Sequence, residues 1–115
     1  MKKSNSTPKG FKKQSIPQLQ KHIRETAKDT GMIFVTGHVK VQMKARSVLL
    51  NEVYECLREG VISIPPEEDI KTGHLICRME RYVCGRNLAV CVGLDDDDPN
   101  LLVVTVFVVT NKGGK

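Results

Sequence analysis

The chain has no tryptophan, two tyrosines and three phenylalanines. Proteins that grip single strands along a broad groove stack the bases on aromatic side chains. So meagre a supply argues against an OB- or RRM-type groove. The four cysteines, Cys56, Cys77, Cys84 and Cys91, include no CxxC pair, and no histidine stands at zinc-finger spacing from them, which argues against structural zinc. Three fall inside apolar, strand-like runs, where a free Cys behaves as a small hydrophobe. They read as reduced core residues, which points to a cytosolic working compartment. No apolar run is long enough to span a membrane. The basic N-terminus lacks the apolar stretch of a signal peptide. His22, His38 and His74 fall on separate expected elements, with no HExxH and no paired carboxylates. The acidic run Asp95 to Asp98 lacks the Gly and Glu spacing of an EF-hand. Neither a metal nor a cofactor is expected.

What is present suits one folded domain. At 115 residues, with 40% hydrophobic and 27% charged residues, the chain can bury one core but not two. Its net charge of +5 favours an anionic partner, most commonly a nucleic acid. Residues 1–14, rich in Lys and Ser, read as a flexible basic tail, residues 15–111 as the domain, and residues 112–115 as a second tail.

The period of the apolar residues changes midway. Pro17 to Thr30 predicts a helix capped by Ser15, with Ile16, Leu19, Ile23 and Ala27 on its apolar face, His22 solvated, and Gly31 as its stop. Met32 to Val35 is a short apolar run that suits a brief strand or a bridge. Thr36 caps a second, basic helix. Ser47 is expected to cap a third, Val48 to Glu59, which Gly60 ends. Ile62 to Thr72 reads as a crossing loop. Beyond it the alternation is of period two: Leu75, Cys77, Met79 and Val83 face one way and Ile76, Arg78, Glu80, Tyr82 and Cys84 the other. After a turn at Gly85 to Asn87, Leu88, Val90, Val92 and Leu94 oppose Ala89, Cys91 and Gly93. After an acidic turn, Leu102, Val104, Val106 and Val108 oppose Val103, Thr105, Phe107 and Val109. Helices followed by such a meander predict an α+β fold, with N-terminal helices on one face of a three- to four-stranded antiparallel sheet. The second face, with Arg78, Glu80, Tyr82, Thr105 and Phe107 around a floor of small residues, is less polar than a solvated face should be. It suits a flat ring or a sugar-phosphate.

The second helix is the organising stretch. His38, Gln42 and Arg46 recur every fourth residue and so share a helix face, beside a docking stripe of Val39 and Met43. Together with Val103-Val104-Thr105-Val106-Phe107, the pattern His38-x3-Gln42-Met43-x2-Arg46 resembles a toxin-like family with a His-x3-Arg-Met-x2-Arg helix signature and a Val-Thr-x-Tyr final strand. That family is grouped with the barnase/EndoU/colicin/RelE-type ribonuclease fold and occurs in C-terminal domains of contact-dependent growth-inhibition toxins. The resemblance spans about Ile33 to Phe107. Gln42 replaces the family's usual Arg and Phe107 its frequent Tyr, which removes one phosphate contact and one phenol.

The resemblance implies metal-independent RNA cleavage by 2′-OH attack on the adjacent phosphate, with tRNA as the foremost substrate. Such chemistry needs a base, an acid and cations for the phosphorane charge. It assigns His38 as acid or base, with His74 as its rival, Arg46 and Arg78 as phosphate clamps, and Thr105 as a positioning hydroxyl. Glu80 would assist the base, Tyr82 and Phe107 would meet a base ring, and Lys40 and Lys44 would attract the RNA. It further implies an acidic immunity protein or antitoxin as partner. The site of action would be the cytoplasm of a target bacterium, reached as part of a larger exported toxin or as a stand-alone protein. The competing expectation is a non-catalytic module of a toxin–antitoxin pair that binds RNA or protein. For Thr105 a plain β-former, for Arg78 and Glu80 a surface ion pair, and for Arg46 a helix cap are the structural alternatives.

Overall fold

The computed structural model describes residues 10–109; the remainder of both expected tails lies outside them. Three helices, the first two separated by β1, cover one face of an open, mixed six-stranded sheet: α1 Ile16–Thr26, α2 Gly37–Ala45, α3 Leu50–Glu59, and strands β1 Ile33–Val35, β2 Val61–Ile62, β3 Glu67–Glu68, β4 Leu75–Val83, β5 Arg86–Asp95 and β6 Asp98–Val109. The α+β class expected from the sequence therefore holds. The sheet is larger and not purely antiparallel: its order is β1-β6-β5-β4-β2, with β3 also on β4, and β1 runs parallel to β6. The additional strands are two or three residues long, too short to show a period in the sequence.

Residues 10–14, expected to belong to a tail, are held. Phe11–Lys13 form one 3-10 turn. The Phe11 backbone N–H donates to Asp96 (2.8 Å), and Lys12 pairs with Glu68 at 2.7 Å. Ser15 caps α1 in a reciprocal box with Gln18. The helix stops at Thr26, short of Thr30, because Asp29 caps a separate 3-10 turn over Thr30–Met32. His22, expected to be solvated, is half-buried against the Phe11 ring at 4.9 Å.

The α2–α3 corner also differs from expectation. Thr36 does cap α2, its Oγ1 accepting from Val39 N–H (3.2 Å). Ser47, however, does not cap α3: it lies in the left-handed region at φ 55. Helix α3 starts at Leu50, and Glu52 accepts the Leu49 N–H at 2.9 Å. Gly60 ends α3 as expected. A Cβ there would lie 2.4 Å from Cys56 O and 2.8 Å from Glu80 O, so the helix end can meet β4 only through glycine. Two arginines each serve the other helix's C-terminus: Arg24 donates to the carbonyls of Glu59 and Gly60, and Arg58 donates to that of Ala27.

The core lies between helices and sheet. Leu19, Ile23, Val39, Met43, Val53 and Leu57 pack on Cys77, Met79, Val90, Val92, Val103 and Val106. The alternation expected for β4 and β5 holds. On β6 it is half right. Cys91 pairs with Thr105 but Val92 with Val103, so Val104 is an extra residue, a β-bulge that reverses the phase. Val106 and Val108 face the helices as expected, but ahead of the bulge Leu101 and Val103 do so, not Leu102 and Val104.

Candidate functional site

The bulge marks a change in how the β6 edge is covered. Residues Leu101 to Val103 pair with β1. Past Val103 the strand β1 ends, Thr36 opens α2, and the helix runs on beside the edge. A strand edge left bare carries unpaired N–H groups. Here Gln42 reaches across, its Oε1 accepting from the Val106 N–H at 3.0 Å. This contact fixes the amide orientation, because only the oxygen can face a backbone donor. The Gln42 NH2 group then faces His38 Nε2 at 3.2 Å. His38 therefore accepts at Nε2 and carries its N–H at Nδ1. Gln42, which the sequence suggested only as a lost phosphate contact, is the link that ties His38 to the strand beside Thr105.

On the sheet's open face the registers align the expected residues in rows. Arg78 pairs with Cys91 and Cys91 with Thr105; Glu80 pairs with Ala89 and Ala89 with Phe107. The Arg78 guanidinium stands over the Phe107 ring, 5.0 Å from its centroid, and its Nε is 2.7 Å from Glu80 Oε2. The same carboxylate oxygen accepts from Ser63 Oγ–H at 2.6 Å. Arg78 Nε is nonetheless buried without a hydrogen bond. The carboxylate balances its charge but does not lie along its N–H. The ion pair foreseen as an alternative exists, and it is part of the row. Tyr82 extends the face toward the β4–β5 turn and is exposed. His74 lies against Gly93 on the neighbouring row: a Cβ on Gly93 would come within 3.3 Å of its Nδ1, and its Nε2 is 3.5 Å from Asp95.

Arg46 stands apart. It occupies the C-terminal end of α2, eight residues and about 12 Å of helix from His38. Its backbone N–H donates to the carbonyls of Gln42 and Lys44. Arg86 serves the corner beyond, donating to the carbonyls of Arg46 and Ser47, both at 2.8 Å, and to Glu52 at 3.2 Å. Glu52 is the one buried charged residue among those described. The Leu49 N–H, then the Cys84 thiol, then the Arg86 charge hold its carboxyl below the usual range. Cys84, at φ 52, begins the β4–β5 turn. One network thus locks the α2–α3 corner onto the hairpin, and α2 is fixed at both ends. Sequence reasoning missed Glu52 and Arg86, although an Arg after a Cys-Gly turn and an acid at the third position of a helix are both visible signals.

Lys40 and Lys44 are exposed on α2. Neither they nor Arg46 has an ion-pair partner among the described residues. The four cysteines are free. Burial pushes the thiols of Cys56 and Cys77 up to about 12, as expected of core residues. Cys91 instead faces the open side, and Cys84 is exposed. Among the described residues no cluster of His, Cys, Asp or Glu could hold a metal ion, and no helix is long and apolar enough to cross a membrane.

Fold and site define a class: an α+β protein whose helices cover one sheet face while the other presents cationic, hydroxyl and aromatic side chains. Residues 35–108 match the family described as "Domain of unknown function (DUF4258)", and the chain belongs to that family. The match begins at the end of β1 and takes in α2, α3, β4, β5 and nearly all of β6, so it contains every candidate site residue. No curated protein and no solved structure matches the chain.

Proposed function

We propose that this protein is a metal-independent endoribonuclease toxin of the barnase/EndoU/colicin/RelE type, cleaving RNA, foremost tRNA, by attack of the 2′-OH on the adjacent phosphate. The observation that supports the reading is a shared neighbourhood around Thr105: it lies in one register row with Cys91 and Arg78, and Gln42 ties His38 to the backbone of its neighbour Val106. An imidazole, a guanidinium and a hydroxyl are the groups such a displacement needs. Turned from Gln42, His38 takes the 2′-OH proton at Nε2, and the imidazolium so formed returns a proton to the departing 5′-oxygen. Arg78 faces the developing charge and Thr105 positions the attacked phosphate. Glu80 orients Arg78. Lys40, Lys44 and Arg46 line α2 as the electrostatic approach, and Tyr82 meets a flanking base. An acidic immunity protein or antitoxin would neutralise the protein by covering this face, and the cell killed would be the one whose cytoplasm it enters.

The test is an RNA gel. Purified protein is incubated with tRNA and total RNA in EDTA, beside His38→Ala, His74→Ala and Thr105→Ala. Discrete fragments from the wild type, reduced about 10²- to 10⁴-fold in rate by His38→Ala, are expected. Fragments lost only in His74→Ala move the acid–base role to the histidine over Gly93. No fragments from any form, with salt-dependent RNA binding retained, convert the protein into a binding module.

A further inference from the structure

Strands β2 and β3 are two halves of one edge strand. Both pair antiparallel with β4, Val61 and Ile62 with Glu80 and Met79, Glu67 and Glu68 with Ile76 and Leu75. Between them Ser63 to Pro66 leaves the ladder opposite the Arg78 row. Two consecutive prolines supply no N–H for an edge. The released segment places Ile64 and Pro65 over the open face, where with Ile76, Cys91, Arg78 and Phe107 they line a half-open cavity of about 190 Å³.

We propose that this cavity is a binding pocket for a single nucleobase. The inference rests on the RNA reading for its substrate and adds where one base is held. Four features select that occupant. The volume falls below the roughly 300–1,000 Å³ of sites for drug-sized ligands, which leaves room for one flat ring. The Arg78 guanidinium, held over the Phe107 ring at 5.0 Å, offers its plane for stacking. The Arg78 guanidinium in the wall and the Glu67 carboxylate on the rim are a donor group and an acceptor group. A nucleobase edge carries partners for both, whereas an aliphatic side chain from a protein partner offers neither. Finally, the floor residue Cys91 is the register partner of Thr105, so a base seated here brings its own ribose and phosphate toward the proposed cleavage row.

The test uses uncharged nucleosides, so that lysine–phosphate attraction does not contribute. Full-length protein labelled with ¹⁵N is titrated with adenosine, guanosine, cytidine and uridine, and with ribose 5-phosphate as the control. Saturable shifts of the Ile76, Cys91 and Phe107 amides by at least one nucleoside, without matching shifts from ribose 5-phosphate, are expected. Cys91→Leu, which fills the floor, and Phe107→Leu, which removes the ring, should each weaken that binding on the order of tenfold or more, with the remaining amide spectrum unchanged. If Cys91→Leu does not fold, Phe107→Leu carries the comparison. The pocket is overturned if no nucleoside moves these amides, or if the folded variants bind as the wild type does. Cleavage without nucleoside binding removes the pocket and leaves the ribonuclease reading; nucleoside binding without cleavage does the reverse.

Discussion

The two faces of the sheet are made by the same three long strands, often by neighbouring residues, yet they differ in what they tolerate. Toward the helices, Cys77, Met79, Val90, Val92, Val103 and Val106 are wholly buried and carry no unpaired polar side chain. Toward the other side, Arg78, Glu80, Cys91, Thr105 and Phe107 are only partly covered, and a buried Arg78 N–H is left without an acceptor. A strand that alternates sides places stability on one face and leaves the second free to carry chemistry. The comparison makes a division of labour testable: the covered face should respond in stability and the open face in activity.

The largest expected effect is on the covered face. Leu57 is fully buried between α3 and the sheet. Leu57→Ala should lower stability by about 2–5 kcal/mol, read as a fall in the denaturant midpoint. A loss under about 1 kcal/mol would mean that this face is loosely packed, and the division would fail at its firmest point.

Next in size is the network that joins the faces' supports. Arg86→Ala removes three hydrogen bonds, two to the corner carbonyls and one to the buried Glu52 carboxylate, which keeps the Leu49 N–H, with an expected loss of about 1–3 kcal/mol. The pH dependence sharpens the point. The folded Glu52 carboxyl is held below its ordinary value of 4.5, so its stabilisation is present above that pH and is lost as pH falls through the lower folded value. Burial lowers His22 from 6.5, partly offset by Glu25. The unfolded ring therefore takes up a proton that the folded ring refuses, and stability begins to fall below 6.5. Denaturation midpoints at descending pH should show a decline starting there. His22→Phe should flatten its upper part, and Arg86→Ala should weaken the part below 4.5. A midpoint flat from neutral pH to 5 would remove the His22 assignment.

Much of this arrangement is legible in the sequence because it rests on local rules. The Ser15 and Thr36 caps, the Gly60 stop and the alternation of β4 and β5 each follow from residue types at fixed spacing; the alternation of β4, and that of β6 past its bulge, place Arg78, Glu80, Tyr82, Thr105 and Phe107 on one face. What was not legible depends on contacts distant in sequence. The Val104 bulge arises where β6 passes from β1 to α2, a handover that period-two counting cannot see. The 11-residue α1 ends early because Asp29 favours its own turn. Gln42 looks like a lost cation until the bare N–H of Val106, 64 residues away, is set beside it. Arg86 and Glu52 hold the corner that the sequence assigned to Ser47 and Arg46.

The smallest stability effect bears hardest on the comparison. Thr105→Val keeps the β-branched shape that suits a strand and exchanges one hydroxyl for a methyl. The structure gives that hydroxyl no hydrogen-bond partner among the described residues, and the ladder through Cys91 is made by the backbone. A purely structural Thr105 should therefore leave stability within about 0.5 kcal/mol and leave activity unchanged. If the hydroxyl positions the reacting phosphate, cleavage should fall about 10²-fold, the scale of one lost donor at a developing charge, while the denaturation midpoint stays where it was. Thr105→Ser, which restores the hydroxyl without the methyl, should recover most of the rate despite a slightly poorer strand former. A parallel loss of stability and rate in Thr105→Val would place the hydroxyl in the scaffold, and the open face would then be a continuation of the core rather than its counterpart.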